Sequence, residues 1–152
     1  MRSFHFKLKA LLSLKENKRE QALTKFVQSI KEVLKLEEQL SESQKKYHAV
    51  QEKLKERQKG VFRRDQIEAL QSSLLLEREN VSEITLLLNR AKEMQNSRRK
   101  IFLDHDSQYK AIDRLQEKQR DEHFFNENRK EQLELEDVIG SRFLFQRINE
   151  QV

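Results

Sequence analysis

Residues 58–66, QKGVFRRDQ, separate two long apolar repeats and so decide how this chain folds. Gly60 is one of only two glycines in the chain, and glycine can adopt the left-handed conformation that ends a helix. Asp65 is suited to cap a second helix, with Glu68 three residues later completing a pair like a capping box. We therefore predict helix one over 1–58, a turn over 59–65 and helix two over 66–139. Gly140 predicts the end of helix two, which leaves 140–152 as a C-terminal tail that can be disordered.

Before the turn, apolar residues recur every seven positions. A first column of mostly large side chains and a second column three residues later, often smaller or polar, form the a/d pattern of a coiled coil. The first contains Leu12, Arg19, Phe26, Val33, Leu40, Tyr47 and Leu54, and the second contains Lys15, Ala22, Ser29, Leu36, Ser43, Val50 and Arg57.

A matching stripe follows the turn. It contains Ile67, Leu70, Leu74, Val81, Ile84, Leu88, Ala91, Phe102, Tyr109, Ile112 and Leu115, with Arg98 and His105 interrupting it. Because a short turn brings neighbouring helices together, residues whose numbers sum to about 125 should lie opposite each other. The predicted fold is all-α: a long two-helix antiparallel coiled-coil hairpin in which the second helix overhangs the first. Residues after about 122 then have no partner within the chain.

Composition supports long helices and excludes several other classes. The 152 residues include no Pro, Cys or Trp, are 38% charged and carry a net charge of +5. Such a chain is too polar for a large globular core, but its Glu, Lys, Leu, Gln and Arg are strong helix formers. No apolar run approaches the ~18 residues of a membrane span, and the apolar stretch near the N-terminus is too short for a signal peptide. We predict a cytoplasmic protein, with a transit peptide as a minor alternative.

The sequence offers no recognisable catalytic chemistry. Its two glycines lie too far apart for a phosphate-binding loop, and the four histidines lack metal-ligand spacing. Paired carboxylates occur on charged helical faces with no pocket to enclose a substrate. Basic clusters at Arg63–Arg64 and Arg98–Arg99–Lys100 are interleaved with acids, which disfavours nucleic-acid binding. We predict a protein that is not an enzyme and has no metal and no cofactor.

Two groups of apolar residues fall outside the stripe. Leu75, Leu76, Leu86, Leu87, Met94 and Ile101 form an off-seam set on helix two. A widened seam or a third packed segment is slightly favoured for this set, and an exposed docking stripe is the alternative. Aromatic pairs lie near the ends: Phe4 with Phe6, Phe124 with Phe125, and Phe143 with Phe145. They either cap the open end of the hairpin or contact a partner.

Three segments resemble a known family. The opening FHFKLKALLSLKENKREQA, the segment EEQLSESQKKY over 37–47 and the segment ENRKEQLELED over 127–137 are similar to the flagellar export protein FliJ and its type III secretion counterparts. The resemblance implies a coiled-coil stalk whose terminal end enters a hexameric export ATPase and promotes hydrolysis. It also implies that the hairpin meets the membrane-embedded export gate, that export chaperones bind, and that the protein associates peripherally with the inner-membrane export apparatus.

The resemblance also implies two sets of contact residues. The ATPase ring would meet Phe4, Phe6, Leu8, Leu11, Leu12, Arg129, Lys130 and Glu131. The export gate would meet Gln39 and Tyr47, to which the off-seam Leu76 and Leu87 are added. The flanking Arg2, Lys7 and Lys9 would steer the end of the stalk toward acidic groups. The alternative is a structural scaffolding coiled coil that acts by dimerising through its seam.

Overall fold

A computed structural model describes residues 2–60 and 63–151. Those residues form two α-helices, α1 over Lys9–Lys59 and α2 over Arg64–Glu150, of 51 and 87 residues. No residue of the described ranges lies in a β-strand. Helices of this length follow from the absence of proline, which would remove a backbone hydrogen bond and clash with the preceding turn. The predicted all-α helical hairpin is confirmed.

The junction between the helices differs from the prediction in its details. No glycine in the described residues has a positive φ, so Gly60 does not end α1 in the left-handed conformation. Arg63, rather than Asp65, precedes the second helix, because its carbonyl accepts hydrogen bonds from the amides of Gln66 and Ile67 at 3.1 and 3.2 Å. Asp65 lies in the first turn of α2, where its charge complements the helix dipole. The middle of the predicted turn, residues 61–62, lies outside the described residues.

The outer ends of the helices also differ from the expected limits. Residues 2–8 are not helical, and α1 begins at Lys9. At the other end α2 passes through Gly140 and continues to Glu150, where a tail was expected. An exposed glycine costs a helix interior only ~1 kcal/mol relative to alanine, so a single glycine does not require the helix to end.

The chain forms two compact units, each built from part of both helices. The second unit, Arg19–Asp104, has an antiparallel seam whose core is Val33, Leu36 and Leu88, with Leu40 and Ala91 packed against it. The rings of Phe26 and Phe102 stack with centroids 6.2 Å apart. Near the turn, Arg57 donates a 2.8 Å hydrogen bond to Gln66. These opposed residues follow the predicted register, in which paired numbers sum to about 125.

The first unit joins Met1–Lys18 to His105–Val152. Lys15 donates a 2.8 Å hydrogen bond from Nζ to the side-chain oxygen of Gln108, which fits the same register within this unit. The side chain of His105, at a seam position of α2, is partly buried, and its Nδ1 has no hydrogen-bonding partner.

The last part of α2 is exposed to solvent along its whole length. Every residue from 128 to 151 is exposed, as predicted for a helix that extends beyond its partner. We call residues 128–150 of α2 the overhang. It carries large apolar side chains that are 49% to 66% exposed, whereas the seam positions of the same helix are at least partly buried.

Candidate partner-binding surfaces

The N-terminal segment, residues 2–8, folds against α2 within the first unit. His123 donates a 2.9 Å hydrogen bond from Nε2 to the backbone carbonyl of Arg2. The ring of Phe4 lies 5.6 Å from the imidazole of His123, and the guanidinium of Arg120 lies 6.0 Å from the same phenyl ring. Such cation–π and ring contacts are each worth ~0.5–1.5 kcal/mol at partly exposed sites. The segment is therefore fixed to α2 by several weak contacts around one histidine.

The residues predicted to meet an ATPase ring are only partly accessible. Phe6 is buried, with 9% of its surface exposed, and Phe4 is half-buried. Leu11 and Leu12 are also half-buried in the first unit, whereas Leu8 is 40% exposed. The structure thus favours the capping interpretation for Phe6, since its side chain is already covered by its own chain. Leu8 is the most exposed apolar residue of this group.

The charged members of the predicted ring-binding set lie on the overhang. Arg129, Lys130 and Glu131 are exposed. The ammonium of Lys130 lies 3.9 Å from the carboxylate of Glu127, one turn earlier on the helix. The Lys130 side chain is 68% exposed whereas that of Glu127 is 13% exposed, so the ammonium remains accessible to a partner's acids. Arg129 lies about 9 Å beyond His123 along the helix axis, because the two residues are six positions apart at 1.5 Å per residue.

The residues predicted to meet the export gate come together in the second unit. The antiparallel register sets Gln39 level with Leu87, and Tyr47 level with Leu76. Gln39, Leu76 and Leu87 are exposed, and the helical period directs all three to the same flank of the seam. Tyr47 is half-buried at the edge of the seam, with its ring 5.7 Å from that of His48. The four residues can form one surface.

The off-seam set is exposed, which corrects the interpretation that was slightly favoured. Neither a widened seam nor a third packed segment covers it within the second unit. Its six members are between 42% and 59% exposed: Leu75, Leu76, Leu86, Leu87, Met94 and Ile101. Of these, Leu76, Leu87, Met94 and Ile101 fall within about 40° on the helical wheel, so they form a continuous stripe. Large exposed apolar surfaces of this kind mark interaction sites.

Two features were not predicted from the sequence. From the sequence, His123 was only one of four histidines without metal-ligand spacing. In the structure it contacts Arg2 and Phe4 of the N-terminal segment. The antiparallel register, which sets residue 2 opposite residue 123, could have indicated this contact. The overhang was expected to end at Gly140, so the helical arrangement of its apolar residues was not considered. These residues are Leu133, Leu135, Val138, Ile139, Phe143, Leu144, Phe145 and Ile148.

The described surfaces are exposed helix flanks with open grooves between them. Within residues 2–60 and 63–151, no group of three or more histidines and carboxylates could hold a metal ion. The grooves beside the helices are shallow and open; one, in the second unit, is lined by Ile30, Leu34, Lys92 and their neighbours. In the same part of the chain, no helix has the length and apolar character needed to cross a membrane.

Comparison with protein families agrees with the segments that resemble export proteins. The family model described as "Flagellar FliJ protein" matches residues 4–147, from the N-terminal segment almost to the end of α2. The chain belongs to the FliJ family. Membership implies a component of the flagellar export apparatus and points to a non-catalytic one. No curated protein and no solved structure matches the chain significantly.

Proposed function

We propose that this FliJ-family chain is a non-enzymatic coiled-coil stalk that binds and stimulates the hexameric export ATPase and links it to the export gate. The observation that carries the proposal is the overhang, an exposed helix with large apolar side chains on several of its sides. Large exposed apolar surfaces mark interaction sites, and apolar residues on several sides of one helix are covered best by a partner that surrounds it. The central opening of a ring is a partner that can surround a helix in this way.

The charges near the start of the overhang support the same proposal. Arg129 and Lys130 are exposed on the overhang, Arg2 and Lys7 are exposed in the N-terminal segment, and Lys9 is exposed at the start of α1. The five cations therefore belong to the same unit as the overhang. Cations grouped in this way would attract acidic groups of a ring and accelerate encounter at low ionic strength.

ATP hydrolysis by the cognate export ATPase, with and without the chain at several molar ratios, tests the first half of the proposal. We expect stimulation by the native chain and its loss in Arg129→Glu/Lys130→Glu. The matched control is Lys53→Glu/Lys55→Glu, which makes the same charge change at exposed positions of the second unit. Hydrolysis that does not respond to the native chain would refute the stalk proposal.

The second half of the proposal is that the exposed flank of the second unit binds the export gate. We expect Leu76→Ser/Leu87→Ser to abolish binding to the cytoplasmic part of the gate in a pull-down or by calorimetry. Leu34→Ser/Leu103→Ser is the control, because both leucines are at least 50% exposed but lie on the opposite flank. Equal loss in both double variants would show that the gate does not distinguish the flanks.

Export chaperones are further proposed partners, and the proposed location is the cytoplasmic face of the inner-membrane export apparatus. No observation favours the scaffolding alternative. A scaffold that dimerises through its seam needs that seam free, whereas in each unit the seam positions of α1 pack against α2.

A further inference from the structure

One face of the overhang carries an uncovered stripe of three large residues. Leu135, Ile139 and Phe143 are spaced four residues apart, so they lie on the same side of α2. They are 60%, 58% and 61% exposed. Residues four apart form one of the ridges through which one helix packs against another. The stripe is centred on Ile139.

Charges along the overhang occur in blocks of alternating sign. The order of the blocks is such that a second copy lying antiparallel places opposite charges side by side. From the N-terminal end they are basic, then acidic, then basic, then acidic. The residues are Arg129 and Lys130, then Glu131, Glu134, Glu136 and Asp137, then Arg142 and Arg147, and finally Glu150. An antiparallel copy centred on Ile139 sets the acidic run beside the second basic pair. It also sets Glu150 beside the first basic pair. A parallel, in-register copy would instead align four acids with four acids, which is unfavourable.

We infer that the overhang binds a second copy of this chain as an antiparallel helix pair. Ile139 lies at the two-fold axis, and Leu135 packs against Phe143 of the partner subunit. A contact of this kind is isologous, because the same patch is used by both copies and no surface is left open for further growth. This inference goes beyond the proposed function and does not depend on it.

The dimer is expected to be weak. The overhang has 23 residues, from 128 to 150, and is therefore about 35 Å long at 1.5 Å per residue. With three anchoring side chains from each copy, the interface falls at the small end of specific protein contacts. We expect dissociation constants on the order of 10–100 µM, which correspond to weak complexes. The dimer would cover the apolar surface that we propose for the ATPase ring, so the two complexes would exclude each other.

Sedimentation equilibrium of the full chain, from 1 to several hundred micromolar on this scale of affinity, tests the inference. We expect a monomer at the lowest concentrations and a dimer at the highest. Ile139→Lys/Phe143→Lys should weaken association at least tenfold. The control is Leu144→Lys/Ile148→Lys. Both of its residues are about 60% exposed and lie on the other side of the helix, so it should change the dissociation constant less than about twofold.

These variants can be interpreted because all four substituted side chains are exposed, so far-ultraviolet circular dichroism should show the fold retained. A monomer at every concentration would overturn the inference. A dimer weakened equally by both double variants would also overturn it, since association would then use the whole surface of the helix or another site.

Disulfide trapping determines the orientation, since the native chain contains no cysteine. Leu135→Cys and Phe143→Cys chains, one carrying a mass tag, are mixed and oxidised. An antiparallel pair gives the mixed, singly tagged dimer and little cross-linking of either variant alone. Homodimers of each variant would indicate a parallel pair and refute the inference. Neither experiment contains the ATPase, so a failure here is separate from a failure of the proposed function.

Discussion

Leu87 and Leu88 provide a test of the packing in the second unit, because adjacent leucines of one helix occupy opposite environments. Leu88 is 5% exposed in the core with Val33 and Leu36, whereas Leu87 is 42% exposed on the flank proposed for the gate. Replacing either with alanine removes the same three carbons and makes the same small change in helix propensity. The difference between the two variants therefore isolates burial.

The magnitude follows from the atoms removed. Three buried carbons are worth about 2.4 kcal/mol at ~0.8 kcal/mol per carbon, and an unfilled cavity adds to that loss. Two helices can move together more easily than a layered core, so the cavity contribution should be small. We expect Leu88→Ala to lower the free energy of unfolding by about 2.5–3 kcal/mol and Leu87→Ala to lower it by less than 1 kcal/mol.

Urea unfolding followed by circular dichroism at 222 nm measures both changes. The slope of the free energy with urea should stay constant, so that a shift in midpoint reports stability. Gate binding should show the reverse order, with Leu87→Ala impaired and Leu88→Ala unimpaired at temperatures where it remains folded. Equal destabilisation by the two substitutions would refute the distinction between seam and flank on which the surface assignments depend.

Three further predictions concern single residues. His105→Leu should raise the free energy of unfolding by about 1 kcal/mol, because it removes a partly buried Nδ1 without a partner; a lower thermal midpoint would contradict this. His123→Ala should speed amide exchange in residues 2–8 by about tenfold, since it removes the hydrogen bond to Arg2 and the contact with Phe4; unchanged exchange would show that other contacts hold the segment. Gly140→Ala should increase helicity and slow exchange in the overhang by a factor corresponding to ~1 kcal/mol, because the added methyl group meets no atom within 4 Å; decreased helicity would contradict this.

The seam was predictable from the sequence because it depends on a repeat. The two columns of α1 and the stripe of α2 are partly or fully buried at every predicted position except Arg57, and the antiparallel register is confirmed. Each position is supported by others seven residues away, so an isolated polar member such as Ser29 or Arg98 does not change the pattern. Ser29 is buried and donates its hydroxyl hydrogen bond to the carbonyl of Phe26, which satisfies it locally.

Features that depend on single residues were less predictable. Gly60 and Gly140 both suggested a helix end, but only the first is near one, because glycine makes a helix end possible without requiring it. The fate of Phe6 depended on whether the N-terminal segment turns back onto α2, which no periodic pattern encodes. Exposure of the off-seam set was also undetermined, since the same leucines could have been covered by a third segment.

The overhang has a consequence for the lifetime of the protein in a cell. An exposed helix end opens at little cost, and proteases cut such segments in proportion to the fraction of time that they are open. Arg129, Lys130, Arg142 and Arg147 are exposed along this helix and offer sites to trypsin-like enzymes. A copy whose overhang is held by another protein is shielded at these sites, whereas an unbound copy is not. Degradation would then remove surplus chains selectively and keep their number matched to the number of assembled export complexes.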